Sequence, residues 1–267
     1  MTMKRLLLPA LAAAFFVAAP AFAQDWAKAR LDKSPRHLEW VTVKHDGREV
    51  GCYVAYPEVK TKATAVIVIH EIFGLSDWAR SVTDEFAEAG YIAIAPDLLW
   101  GLGAKGGGTS ELNSTEIGQK IRTLSADQIT ADLNAVADYV TKLPACNGQL
   151  AVTGYCYGGG QSFRYATNNP NLKAAFVFYG GPPAAADMAR IKCPIYGFYG
   201  GNDARVTATV PKATDDMKAA GKAYEPVTYD GAGHGFMRSG EAPDATEPNK
   251  KAHDAAWVRL KEILGKL

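Results

Sequence analysis

The chain reads as an α/β protein of about eight mostly parallel strands with helices on both faces, and three observations predict this. Short continuous apolar runs such as Ala65-Val66-Ile67-Val68-Ile69 lack the alternation of a half-solvated strand and suit strands covered on both sides. Segments with helical spacing of apolar residues lie between these runs, the alternation that builds a parallel sheet. Helix ends are marked by residues that stop helices, as at Gly90 and Pro144.

The elements follow in order. Residues 1–23 open with Lys4 and Arg5, continue in an apolar run from Leu6 to about Phe22, and end in Ala21-Phe22-Ala23. This is the pattern of a signal peptide cleaved after Ala23, and no later apolar stretch is long enough to span a membrane. Residues 24–267 then form a single domain, with periplasmic or secreted localisation expected. Leu38–Lys44 and Glu49–Tyr56 flank a turn at Asp46-Gly47 and pair as antiparallel opening strands. Ala65–Ile69, Tyr91–Ala95, Leu150–Thr153, Ala174–Phe178, Ile195–Tyr199 and Glu225–Tyr229 follow, the last confined to an edge by Pro226. Helices are predicted over Ser76–Ala89, Ser125–Leu143, Thr209 to Gly221 with Pro211 in the first turn, and Ala252–Leu264. The segment from Trp100 to Thr115 carries five glycines and has no period. Its place after a strand end fits a mobile flap over a site, with an inert surface loop as the plain alternative.

Composition excludes several classes. The 29 Lys and Arg against 28 Asp and Glu give +1, and without Lys4 and Arg5 the balance is 27 to 28, or −1. Both signs are interspersed, with no basic cluster for a nucleic acid. Cys52, Cys146, Cys156 and Cys193 form no Cys-x-x-Cys pair and the histidines are scattered, so no zinc pattern is present. A bridge among Cys52, Cys146 and Cys193 is open, with no pairing fixed by spacing.

The chemistry concentrates in Leu150-Ala151-Val152-Thr153-Gly154-Tyr155-Cys156-Tyr157-Gly158-Gly159-Gly160. A buried strand runs into a Gly-x-Cys-x-Gly turn and then a helix, which is the nucleophile elbow of an α/β-hydrolase fold with Cys in the Ser position. The turn needs glycines because its central residue is strained and its neighbours approach closely. A helix N-terminus at the sulfur favours thiolate. A lone cysteine is more often a small buried hydrophobe, but an elbow has no structural need of one. Asp203 and His234 each lie just past a strand and follow Cys156 in the order nucleophile, acid, histidine, so all three reach one sheet edge. Singly, Asp203 would pass as a turn residue and His234 as a loop histidine. His37, His45 and His253 have no such placement.

From about Glu49 to its end the chain resembles the dienelactone hydrolase (carboxymethylenebutenolidase) family. The marks are His70-Glu71-Ile72-Phe73-Gly74, Ala95-Pro96-Asp97-Leu98, the Cys elbow, Asp203, and Gly233-His234-Gly235-Phe236. The resemblance implies that Cys156 attacks a lactone carbonyl to form an acyl-enzyme and that Glu71 helps to activate the thiol. It further implies that the backbone amides of Ile72 and Tyr157 form the oxyanion hole and that Arg238 holds a substrate carboxylate. A second substrate-binding arginine, present shortly after Pro-Asp-Leu in dienelactone-cleaving members, is replaced here by Leu99-Trp100-Gly101. Trp100 is therefore expected to contact a smaller, less charged or more aromatic substrate. The expectation is an exported hydrolase of small esters or lactones that needs no metal or organic cofactor. A thioesterase or general carboxylesterase, and a ligand-binding protein without turnover, are the alternatives. A redox role lacks a resolving cysteine near Cys156.

Overall fold

The computed structural model describes residues 24–267. The predicted signal peptide, its cleavage point and the export that follows from it lie outside the described residues. Eight strands form one sheet: β1 (Leu38–His45), β2 (Arg48–Ala55), β3 (Ala63–Ile69), β4 (Ile92–Pro96), β5 (Cys146–Tyr155), β6 (Ala174–Phe178), β7 (Ile195–Gly200) and β8 (Tyr224–Tyr229). Their order is β1-β2-β4-β3-β5-β6-β7-β8. β1 and β2 pair antiparallel, β2 joins β4 antiparallel, and the rest are parallel.

The burial of each strand follows its sequence. Every residue of β3, β4 and β6 is buried, because helices cover both faces and each apolar run has somewhere to go on either side. One face packs Ile67, Ile69, Val152 and Val177 against Leu133 and Val136 of the helix Ala126–Thr141. The other packs Val66, Val68, Phe176 and Phe178 against Trp78 and Phe86 of the helix Asp77–Glu88 and Trp257 of the helix Glu247–Leu264. β8 is an edge strand of partly exposed residues, where Pro226 costs no ladder bond on the outer side.

Three elements differ from the sequence expectation. The last helix begins at Glu247, five residues earlier than predicted, because Pro248 falls in its first turn, where no intrahelical N–H is required. A helix over Asp25–Leu31 precedes the hairpin, and the Gln24 side chain accepts a 2.7 Å bond from the Trp78 amide, an orphan donor of its helix start. The Trp100–Thr115 segment is tied down. Buried Asp97 accepts from Thr109 N (2.6 Å), Thr109 Oγ1 (2.8 Å) and Leu99 N (3.0 Å), and Thr109 Oγ1 accepts from Leu75 N (2.9 Å). A capped helix, Ser114–Lys120, follows with Asn113 and Glu116 forming a capping box. All four cysteines are free. No described helix is long and apolar enough to cross a membrane.

Candidate active site

The C-terminal end of β5 supplies the central residue. Cys156 has φ +55° and ψ −112° between the strand and the helix Tyr157–Ala166, a conformation L-residues adopt only under constraint. Two glycines impose it. A Cβ on Gly154 would stand 1.9 Å from the Gly158 carbonyl oxygen, and one on Gly158 would stand 2.2 Å from the Ile69 carbonyl oxygen. The Cys156 amide donates to Phe178 O (3.0 Å), tying the turn to the end of β6.

The neighbouring strand ends bring the other two groups. Asp203 lies three residues past β7, buried, with Oδ1 accepting from Val206 N at 3.4 Å. His234 lies five residues past β8, and Gly233 before it donates to Asn249 Oδ1 (2.9 Å). His234 Nδ1 is 2.5 Å from Asp203 Oδ2 and its Nε2 is 3.1 Å from Cys156 Sγ. With a carboxylate accepting at Nδ1, that nitrogen carries the hydrogen and Nε2 faces the sulfur. Tyr179, at φ +40° just past β6, packs edge-on to the imidazole with ring centroids 5.1 Å apart and holds the ring plane from the side.

Glu71 and Ile72 follow β3. Buried His70 sets this turn by donating from Nδ1 to Glu71 O (2.8 Å) and accepting the Leu98 amide at Nε2 (3.2 Å), which leaves it neutral. Burial holds its pKa below the ordinary imidazole value. The backbone amides of Ile72 and Tyr157 both donate toward the Cys156 sulfur. Arg238 Nε donates to Glu71 Oε2 at 2.8 Å, and its guanidinium lies over the Phe73 ring at 5.1 Å. Burial raises the Glu71 pKa even so, with Arg238 opposing.

The pull toward thiolate expected from the helix N-terminus is opposed in the fold. Burial, then the Glu71 charge, push the thiol up to about 11, outweighing the two amides and Arg205. The thiol proton has two candidate acceptors, His234 Nε2 and the Glu71 carboxylate.

These groups share a cavity of about 610 Å³ lined by Glu71, Ile72, Cys156, Tyr157, His234 and Arg238 among others. Trp100 does not line it. That indole lies above Gly51, where a Cβ would stand 2.2 Å from its ring, and beside Trp40, in a neighbouring cavity of about 700 Å³. The glycine-rich segment lines that second cavity too, so it is placed as a wall there and not as a flap over Cys156. Sequence reasoning missed Tyr179, Gln161, Arg164 and Arg205, all in the Cys156 cavity. Tyr157, Gly160, Gln161 and Arg164 are spaced by three and four residues along one helix, a stripe visible in the sequence once the helix is placed. Arg164 donates from Nε to Gln161 Oε1 and from Nη1 to Thr130 Oγ1, both at 2.9 Å.

The family model described as the dienelactone hydrolase family matches residues 50–267. The chain belongs to this family. It is 31% identical over 213 residues to a "Putative carboxymethylenebutenolidase" of Yersinia pestis, covering 75% of this chain and 79% of that one. A protein of the same description from Methylorubrum extorquens is 30% identical over 227 residues, covering 80% and 75%. Among solved structures, one described as "Putative Dienelactone Hydrolase" from Klebsiella pneumoniae superposes with a TM-score of 0.76 at 26% identity, covering 87% of this chain and 99% of that one. The protein is thus a carboxymethylenebutenolidase-like hydrolase acting on ester bonds, built on the α/β-hydrolase fold.

Proposed function

We propose that this family member is a cysteine-dependent hydrolase of small lactones or esters, working through Cys156, His234 and Asp203 and an acyl-enzyme. The reading is carried by one observation: a continuous line of contacts from Asp203 through His234 to Cys156. A substrate carbonyl beside Sγ puts its oxygen between the amides of Ile72 and Tyr157, where charge develops in the transition state. The thiol proton passes to His234 Nε2 as sulfur attacks the carbonyl carbon. The tetrahedral oxyanion collapses, the C–O bond to the leaving oxygen breaks, and the imidazolium returns the proton to that oxygen. Water then attacks the thioester, with His234 taking its proton and giving it back to sulfur.

Glu71 and Arg238 tune the first step. Arg238 holds Glu71 in the resting pair and also faces the cavity. A substrate carboxylate that draws Arg238 away leaves Glu71 uncompensated beside the thiol and therefore more basic. Activation then accompanies the arrival of a carboxylated substrate.

Cys156→Ala should abolish hydrolysis of p-nitrophenyl acetate and small enol lactones with an unchanged circular dichroism spectrum. A rapidly quenched wild-type reaction should show the acyl mass on Cys156. Undiminished turnover in the variant removes the proposal. Export is part of it, supported by Lys4, Arg5, the apolar run and Ala21-Phe22-Ala23. A mature protein beginning at Gln24 outside the cytoplasm is the expected result, and an intact cytoplasmic chain sinks it.

A further inference from the structure

Far from Cys156 in sequence terms, three segments converge on a second set of charged side chains. Glu85 comes from the helix Asp77–Glu88, Glu241 from the turn after the short helix Phe236–Ser239, and His253 from the helix Glu247–Leu264. Gly240 lets that turn lie against the last helix, since a Cβ there would stand 2.6 Å from both His253 Cβ and the Asn249 carbonyl oxygen. One potential ligand atom from each of Glu85, Glu241 and His253 falls within 4.8 Å of the other two.

The arrangement leaves a buried carboxylate oxygen without a donor. The side chain of Glu241 is only 7% exposed, yet its Oε2 has no hydrogen-bond donor among the described residues. Burial, then the Glu241 charge, hold the Glu85 carboxyl well above the usual range, because the two carboxyls face each other. Glu85 Oε1 touches Arg30 Nη1 without hydrogen-bond geometry. Arg30 has a second partner, Glu88 Oε2 at 3.0 Å, and its side chain is 38% exposed, so it can leave Glu85 without losing compensation. Two apposed buried carboxylates either share a proton or hold a cation between them.

The histidine stands beside the pair with a carboxylate at each ring nitrogen. His253 Nε2 faces Glu241 Oε1 at 2.8 Å while Nδ1 lies 2.9 Å from Asp254 Oδ1. With a carboxylate at each nitrogen the metal-free ring carries a hydrogen on both, and an incoming ion replaces the one on Nε2 while Asp254 keeps Nδ1–H oriented, the support that metal-binding histidines ordinarily have. The cluster borders a cavity of about 500 Å³ lined by Arg30, Glu88, Trp257 and Lys261, which gives an ion a way in and water room to complete its shell.

We propose that Glu85, Glu241 and His253 form a binding site for a first-row divalent metal ion such as Zn²⁺ or Mn²⁺. Two carboxylate oxygens and one imidazole suit these ions, whereas Ca²⁺ asks for six to eight oxygens. A bound ion displaces the proton shared by the carboxyls and the hydrogen on His253 Nε2, both of which go to solvent. It joins the helix Asp77–Glu88 to the last helix through Glu241, three residues after Arg238. Its role is therefore to brace the segment carrying Arg238 and His234, with no part in the bond-breaking step.

The test is titration of ZnCl₂ and MnCl₂ into purified, EDTA-stripped protein, with MgCl₂ as control, read by calorimetry and thermal unfolding. One equivalent should bind and raise the melting temperature. Asp254→Asn, at an exposed carboxylate, should weaken binding by about 10–100-fold. Glu241→Gln, whose amide can donate to Glu85 and so keeps the metal-free fold, should abolish it. Cys156→Ala should bind as wild type does. Failure of the stripped wild type to bind either ion leaves a proton-sharing carboxyl pair and overturns the proposal. Binding kept in Glu241→Gln but lost in Cys156→Ala also overturns it, by moving the ion to the ester-cleaving cavity.

Discussion

Two cavities meet at Phe73, and they are built in opposite ways. The one around Cys156 is assembled from short turns at the ends of β3, β5, β6, β7 and β8. The other has Trp40 from the opening hairpin on one side and the long segment after β4 on the other. In the first, sheet register fixes each group to within one residue, because a turn of two to five residues has few conformations. In the second, position depends on side chains reaching along the segment: buried Asp97 accepts from Thr109 and Leu99, and Glu111 accepts from the Lys105 and Gly107 amides. Reactive groups sit where the backbone leaves least freedom, and the wide aromatic wall sits where the chain is long. Under the proposed function, bond cleavage is thereby placed apart from whatever the second cavity contacts.

The largest effect that tests this separation belongs to Asp203. Its carboxylate fixes the His234 tautomer, so Asp203→Asn should lower kcat on p-nitrophenyl acetate by about 10²–10⁴-fold with little change in melting temperature. A loss below about tenfold would mean that turn geometry alone orients the imidazole. The Cys156 cavity would then owe less to its polar contacts than the comparison assumes.

Glu71 gives a smaller effect with a definite sign. The Cys156 thiol stands at about 11 because burial and then the Glu71 charge disfavour the thiolate. Iodoacetamide should therefore alkylate Cys156 slowly at pH 7 and progressively faster up to about pH 11, the thiolate being the reactive form. Burial raises the Cys52 and Cys193 thiols further, so Cys156 should still react before either. Glu71→Gln removes a negative charge and frees Arg238, and both changes favour thiolate. The alkylation profile should move to lower pH, and a profile that stays put or moves upward contradicts the electrostatic account.

The same contrast explains what the sequence could disclose. Gly154 and Gly158 are the glycines of a motif, and the backbone contacts they permit are local, so the elbow was legible before any coordinates. Asp203 and His234 were legible because each follows a strand whose apolar run is plain. The pattern Glu71-Ile72-Phe73-Gly74 placed the Ile72 amide. Tyr179 was not legible, since nothing in Phe178-Tyr179-Gly180 announces a positive φ or a contact with His234. The surroundings of the thiol were only half legible for a related reason. A helix N-terminus is visible in sequence, whereas the burial and the opposing Glu71 charge arise only when β3 and β5 lie side by side. Glu85, Glu241 and His253 carry no spacing at all, because three separate segments deliver them. Asp97 belongs to an ordinary Pro-Asp pair, and only the fold reveals it as an anchor of the loop.

Trp100 supplies the smallest expected effect on catalysis and the sharpest test of the boundary between the cavities. Its ring covers Gly51 and lies 6.1 Å from the Trp40 ring, in a cavity that shares Phe73 with the one around Cys156. Trp100→Ala should change kcat/KM on p-nitrophenyl acetate by less than about threefold, since acetate is too small to reach beyond the Cys156 cavity. Stability should respond more, by about 1–3 kcal/mol, because the indole is largely packed and its removal uncovers apolar surface on β2. Thermal unfolding and steady-state kinetics on one preparation measure both. A tenfold fall in kcat/KM with the melting temperature unchanged would mean that the two cavities act as one site. If small esters are unaffected but bulky aryl esters lose activity, the second cavity is a substrate subsite, and the long loop sets specificity while the strand ends perform the reaction.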